Sequence, residues 1–180
     1  MHNFYLSASL NKGFSLTELL ITLALAAIIL VFAVPGLQTL VLNARRNAML
    51  DGIYNALNFT RLTALSQNAN VTICPYSAPN STSCGSNWSA GWIVITQPTT
   101  GSPTLLQSHR TTPNSPTLSS NIQTILFNAQ GLASSQANFK VCDTRGARYA
   151  GSVVVLLTGF IQIGATPGQA VWDNSQLVCP

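Results

Sequence analysis

Hydropathy along this chain changes character twice. Leu19 to Val34 is apolar at every position except Thr22. Counted from Phe14, the run to Val34 holds 21 residues, which form about 31 Å of α-helix against a hydrocarbon core of roughly 30 Å. The pattern predicts a membrane-spanning helix over 14–35. Pro35-Gly36 follows and predicts a kink or a loosened turn. Leu42, Met49, Ile53, Ala56 or Leu57, Thr60 and Ala64 then recur at steps of three and four, forming one apolar stripe. Arg45, Arg46, Asp51, Asn55, Asn58 and Arg61 fall largely off that stripe. An amphipathic continuation is therefore expected over 36–66, packed against a globular domain. The whole helix, 14–66, would be on the order of 80 Å long.

Residues 67–180 read as β-rich. Short runs suited to strands are Val71–Cys74, Gly91–Thr96, Thr104–Ser108, Ile122–Phe127, Asn138–Cys142, Ser152–Leu157 and Phe160–Ile163. Thr158-Gly159 suits a hairpin turn between the last two. Residues 97–120 are the loop-richest tract and promise at most a weak strand. Short strands separated by polar turns imply an antiparallel sheet or sandwich, hence an α+β architecture with one long helix. No internal repeat is visible.

Composition sharpens this picture. Of 180 residues only 7% are charged, against roughly 25% in an ordinary soluble domain. Ser, Thr, Asn, Gln, Pro and Gly fill residues 66–121, so the surface is wetted by hydroxyls and amides rather than by ion pairs. The net charge of +4 comes from eight scattered cations: Lys12, Arg45, Arg46, Arg61, Arg110, Lys140, Arg145 and Arg148. No run of four Lys or Arg marks a polyanion site. Cys74, Cys84, Cys142 and Cys179 make an even count without a C-x-x-C pair, and His2 and His109 are not spaced to complete a zinc site. Disulfides formed in an oxidising compartment are the better account. Of three connectivities the sequential one, Cys74–Cys84 with Cys142–Cys179, is favoured. Its loops would contribute roughly 3 and 4 kcal/mol in the chain-entropy treatment.

An ordinary secretory signal places its cleavage site after the apolar run. Here residues 1–13, MHNFYLSASLNKG, precede that run, so cleavage after Gly13 would keep it in the mature chain. Glu18 is out of place inside it, because an acidic group at mid-bilayer costs on the order of 2.5–3.5 kcal/mol. One turn from a new N-terminus, it could reach the interface; inside a filament it would need a cationic partner. Lys12-Gly13-Phe14-Ser15-Leu16-Thr17-Glu18 resembles the class III signal of type IV pilins and type II secretion pseudopilins. That resemblance implies a leader of 1–13 removed by a prepilin peptidase and N-methylation of Phe14. It also implies that Glu18 pairs with a neighbouring subunit's N-terminal amine, setting filament register. Two such charges neutralise each other in an apolar core. Arg45 and Arg46 lie about three turns past the span, so orientation rests on the family signal and the cysteines rather than on charge asymmetry.

Three further patches resemble the GspH/FimT group of minor pilins and pseudopilins. They are Val71-Thr72-Ile73-Cys74 with Cys84, Trp88 and Gly91-Trp92-Ile93-Val94; Phe127-Asn128-Ala129-Gln130-Gly131; and Cys142-Asp143-Thr144-Arg145-Gly146-Ala147-Arg148. Read as structure alone, Trp88 and Trp92 are buried anchors, Gly131 and Gly146 turn glycines. The resemblance implies a pilin fold and a single-pass inner-membrane protein with a periplasmic domain that enters a pilus or pseudopilus. Implied partners are other minor and major pilins or pseudopilins, the peptidase, an inner-membrane assembly platform and the inner membrane itself. FimT-type members linked to DNA uptake resemble one another in a Gly-Arg-x-Arg hairpin, but the aligned turn here is Gly159-Phe160-Ile161-Gln162. Arg145 and Arg148 are the remaining candidates for nucleic-acid contact, thin support for DNA as a partner. The readings are thus a FimU-like minor pilin of an initiation or tip complex, then an H-type pseudopilin of type II secretion, then a DNA-uptake pilin.

Catalysis is not expected. Beyond the leader the chain has one histidine, His109, placed in the loop tract, and three aspartates, Asp51, Asp143 and Asp173. A nucleophile elbow, a phosphate loop and a metal pattern are all missing. Asp143 is expected to cap a turn or to pair with Arg145 or Arg148. No cofactor and no metal is implied.

Overall fold

The computed structural model describes residues 13–98 and 101–179. Positions 1–12, Lys12 and His2 among them, lie outside the described residues. The chain divides into two units, Met1–Val41 and Leu42–Pro180.

One helix, α1, is assigned from Leu16–Gln67. In the first unit every described side chain from Gly13 to Val31 is exposed. No single straight helix among the described residues is long and apolar enough to cross a membrane. The bent pair Leu16–Val31 and Gly36–Gln67 passes together, by length and composition. The break falls between Val31 and Gly36.

In the second unit the rest of α1 is amphipathic, and its buried positions are Met49, Leu50, Ile53, Ala56, Leu57, Thr60 and Ala64. Leu42, which opens the predicted stripe, is only half-buried. Thr60 enters the core because its Oγ1 donates to the Ala56 carbonyl at 2.6 Å, satisfying the hydroxyl within the helix.

Eight strands follow among the described residues: β1 Asn70–Pro75, β2 Gly91–Gln97, β3 Leu105–Arg110, β4 Thr117–Ser120, β5 Ile125–Phe127, β6 Ala137–Cys142, β7 Gly151–Val155 and β8 Ile161–Ile163. They build two antiparallel sheets, ordered β3-β2-β1-β5 and β4-β6-β7-β8. In the first, Ile73 sits opposite Val94 and Ile125. In the second, Phe139 sits opposite Val153, and Val155 opposite Ile161. Alternate residues of both sheets meet the buried face of α1 in one core, with Ile53, Leu57, Ile73, Val94, Phe127, Phe139 and Val153 all fully buried. Each such aliphatic side chain contributes about 2 kcal/mol by leaving water.

Both tryptophans anchor this core. Trp88, in a 3₁₀ turn over Trp88–Ala90, meets Phe139 edge-on at 5.0 Å and donates Nε1 to the Ile122 carbonyl at 2.8 Å. Trp92 lies over Gly52 of α1, where a Cβ would come within 3.2 Å of the indole. A glycine inside a helix, normally a cost of about 1 kcal/mol, here makes room for the largest side chain in the core.

Two features differ from the sequence reading. Residues 117–120 form a true strand, β4, whose Leu118 packs into the core and which pairs with β6. Four residues with two serines carry too little period-2 signal to announce it. Conversely, Ile122–Gln123–Thr124 is not strand: Ile122 N donates to Ser120 Oγ while its carbonyl serves Trp88. That backbone is committed elsewhere, so β5 begins at Ile125. The Thr158-Gly159 turn does close β7 onto β8, with Gly159 at φ 77° against the Gly131 carbonyl, where a side chain has no room.

Candidate functional site

The N-terminal constellation begins with Gly13 and Phe14 just ahead of α1, with Phe14 76% exposed. Ser15 caps the helix: its Oγ accepts from Glu18 N at 3.2 Å, and its carbonyl accepts from Leu19 N at 3.1 Å. Ser15-x-x-Glu18 is the capping-box spacing. It places the Glu18 carboxylate in the first turn, where the positive end of the helix dipole favours it. The Ser15-x-x-Glu18 spacing is the sequence signal for this role. Glu18 is the only charged residue from Phe14 to Val41, and its carboxylate has no hydrogen-bond or ion-pair partner among the described residues. Thr22, by contrast, is satisfied internally, its Oγ1 donating to the Leu19 carbonyl at 2.9 Å. The first turns thus offer one unpaired carboxylate on an otherwise self-satisfied apolar rod.

The cysteines pair Cys74 with Cys84 and Cys142 with Cys179, at Cα separations of 5.6 and 5.9 Å. The first bond ties the polar 76–87 loop to β1, helped by Gly85 N donating to the Pro75 carbonyl at 2.8 Å. The second ties the tail to the end of β6. That tail is also held by Ser152, whose Oγ donates to the Gln169 carbonyl and accepts from Val171 N. Lys140 Nζ adds a bond to the Val178 carbonyl at 3.1 Å.

Arg145 and Arg148 are not brought together as one cationic site. Arg145 is engaged on every side: Nε and Nη2 donate to the Asp143 carboxylate, the shortest contact being 2.6 Å. Its Nη1 donates to Asn43 Oδ1 at 2.9 Å, and its guanidinium lies 4.4 Å from the centre of the Tyr149 ring. Asp143 Oδ1 also accepts from Arg145 N, capping the turn. Burial alone would raise the Asp143 pKa, but the Arg145 hydrogen bonds and charge outweigh it and hold the carboxyl below its ordinary value. Arg148 is exposed and lines a separate cavity of about 380 Å³ beside Gly168 and Gln176.

His109 does not sit in a loop. It is on β3, stacked on Trp92 at 4.1 Å with planes 20° apart, and partial burial lowers its pKa. Among the described residues no nucleophile or carboxylate is hydrogen-bonded to its ring. Among the described residues no cluster of three His, Cys, Asp or Glu side chains is placed to hold a metal.

Comparison with known proteins agrees with this arrangement. The family model described as Type II transport protein GspH matches residues 50–159, more than half of the chain. The prokaryotic N-terminal methylation motif matches residues 9–34. Two crystal forms of the type IV minor pilin FimU from Pseudomonas aeruginosa strain PAO1 share the fold at 16% identity. Their TM-scores are 0.57 and 0.54, covering 71% and 68% of this chain and 92% and 94% of theirs. A search of curated proteins finds no match. A long N-terminal helix that starts within a methylation motif and packs its second half under two antiparallel sheets is the pilin fold, and the chain belongs to the GspH family of type IV pilin-like proteins.

Proposed function

We propose that this chain is a minor pilin that enters a type IV pilus as a subunit of its initiation or tip complex. Before assembly it would sit in the inner membrane by residues 14–35, with the disulfide-bonded domain in the periplasm. The observation that carries this reading is the state of α1 before Val31: apolar all round, exposed at every described side chain, and marked by one unpaired carboxylate at Glu18. A helix that is apolar on all faces is stable only in lipid or among other helices. Removal of residues 1–13 would free an amine at Phe14, four residues from Glu18. In a filament that amine, on a neighbouring chain, is the partner the carboxylate lacks.

The finer choice between pilus and secretion system rests on less. The FimU fold favours the pilus; the description of the matching family favours a type II pseudopilin, which stays the second reading. DNA binding is disfavoured, because Arg145 is consumed by Asp143, Asn43 and Tyr149, and the hairpin that carries arginines in DNA-uptake members carries Phe160 and Gln162 here.

The test is incorporation of Glu18→Ala into sheared filaments of a cell that also makes the other pilins. Processing should stay near parental, while incorporation should fall at least severalfold. Equal incorporation of variant and parent would remove the register role. Loss of pilus assembly on deleting the gene, with secretion intact, decides for the pilus; the reverse decides for the pseudopilus.

A further inference from the structure

We propose that a basic cleft at the start of the globular domain receives an acidic segment of a neighbouring filament subunit. The cleft runs between the Arg45–Met49 turns of α1 and the Thr111–Thr117 loop. One end encloses about 300 Å³ and is lined by Arg45, Met49, His109 and Arg110. It shares Arg45 and Asn114–Pro116 with a second hollow of about 610 Å³, which continues to Asp143 and Cys179. The two hollows form one trough.

Three observations give the trough its sign and its readiness. Arg45 and Arg110 have no hydrogen-bond or ion-pair partner among the described residues, unlike Arg46, Arg61, Lys140 and Arg145, which all donate to named acceptors. Asp143, the one carboxylate among the described residues that line the trough, is already neutralised by Arg145. Two unpaired guanidinium forks therefore remain over an opening with no free counter-charge among the described residues, and a fork is shaped for a carboxylate. Finally, the wall is stiff. Thr111 donates Oγ1 to the Ser89 carbonyl at 2.6 Å and N to the Ala90 carbonyl at 3.2 Å. Thr112 Oγ1 meets Ser115 Oγ at 3.1 Å across Pro113, and Pro116 follows. A preformed wall spares an incoming chain the cost of ordering it.

Two free arginines suit a short acidic peptide better than a nucleic acid, whose affinity is built from many phosphate contacts. Arg148, the other arginine without a partner among the described residues, lines a different cavity. A second copy of this chain is a poor donor of an acidic segment, because its four acidic residues, Glu18, Asp51, Asp143 and Asp173, are isolated along the sequence, and of these Asp143 is paired and Asp173 is held by Ser175. The donor is therefore a different subunit; this identification rests on the filament reading, whereas the acidic chemistry of the occupant rests on the trough alone.

The test titrates the full-length chain in detergent with a fluorescent peptide of six aspartates, against one of six asparagines. The aspartate peptide should bind and the asparagine peptide should not. Arg45→Gln and Arg110→Gln should each weaken binding about tenfold, with Arg148→Gln unchanged and Trp88/Trp92 fluorescence parental in all three. Equal binding by parent and by Arg45→Gln or Arg110→Gln would overturn the site. So would tighter binding of a six-nucleotide single strand or of anionic vesicles, or displacement by inorganic phosphate at the peptide's own concentration. A photo-crosslinker at Ser115 in assembled filaments should join this chain to another pilin; a crosslink to its own kind alone, or to none, would overturn the partner. If the parent chain is never found in assembled filaments while the peptide titration behaves as expected, the filament role falls and the acidic site stands.

Discussion

Two stretches of one helix, each rich in Leu, Ile and Ala, end in opposite environments. From Leu16 to Val31 the apolar side chains occupy every face, and all of them are exposed. From Met49 to Ala64 they occupy one face, and Ile53, Ala56, Leu57 and Ala64 are essentially inaccessible to water. Hydrophobicity alone does not separate these fates; its angular distribution does. A one-sided stripe can be buried by a single neighbouring layer, as α1 is under its two sheets. An all-round apolar surface cannot be covered by the chain's own domain and must be covered by lipid or by other subunits. Polar groups follow the same division. Thr60 and Arg61 bond within the domain, whereas the Glu18 carboxylate has no partner among the described residues.

The largest effect that sharpens this contrast is covalent. Replacing both Cys142 and Cys179 by Ser opens a loop spanning 37 positions and should lower domain stability by about 4 kcal/mol. The same change at Cys74 and Cys84 should cost about 3 kcal/mol. Denaturant titration followed by the two buried tryptophans measures both, and neither change should alter membrane extraction of the chain. Next comes a matched pair of truncations. Ile53→Ala should cost about 3 kcal/mol of domain stability by opening a cavity, whereas Ile28→Ala should change it by under about 0.5 kcal/mol and act instead on incorporation. Equal destabilisation by the two would break the comparison outright.

A smaller effect is expected at the Asp143–Arg145 pair, where Arg145→Ala should cost about 2 kcal/mol by leaving a buried carboxylate unpaired. Because the folded-state pKa of Asp143 is depressed, its contribution is fully present above the ordinary aspartate value of about 3.9. It is lost as pH falls through the lower folded value. Stability of the parent should therefore fall below about pH 4 more steeply than that of Asp143→Asn, as measured by thermal unfolding across that range. Smallest of all, Phe160→Ser on the exposed hairpin should move stability by less than about 0.5 kcal/mol.

Much of this architecture was legible because strong local signals coincide with it. The Val71–Cys74 and Gly91–Thr96 runs are β-branched and bounded by turns, and the stripe Met49–Ile53–Leu57 repeats at helical spacing. What escaped is nonlocal. That β1 pairs with β5 as well as β2, and that four residues at Thr117 join the second sheet, depends on partners far along the chain. His109 was placed in a loop because its tract is rich in Pro, Ser and Thr, while its stacking on Trp92 is set by the register of β2 with β3. Of the N-terminal site, the motif was plain and the capping geometry was readable from Ser15-x-x-Glu18. The engagement of Arg145 by Asn43, 102 positions away, was not.

The claim on which the rest turns is that the apolar half of α1 survives maturation with a new amine four residues ahead of Glu18. N-terminal sequencing and intact mass of the membrane-extracted chain measure this directly. The expected product begins at Phe14, lacks residues 1–13 and carries one added methyl group. A chain that begins at Met1, or one cut beyond Val34, would contradict the account.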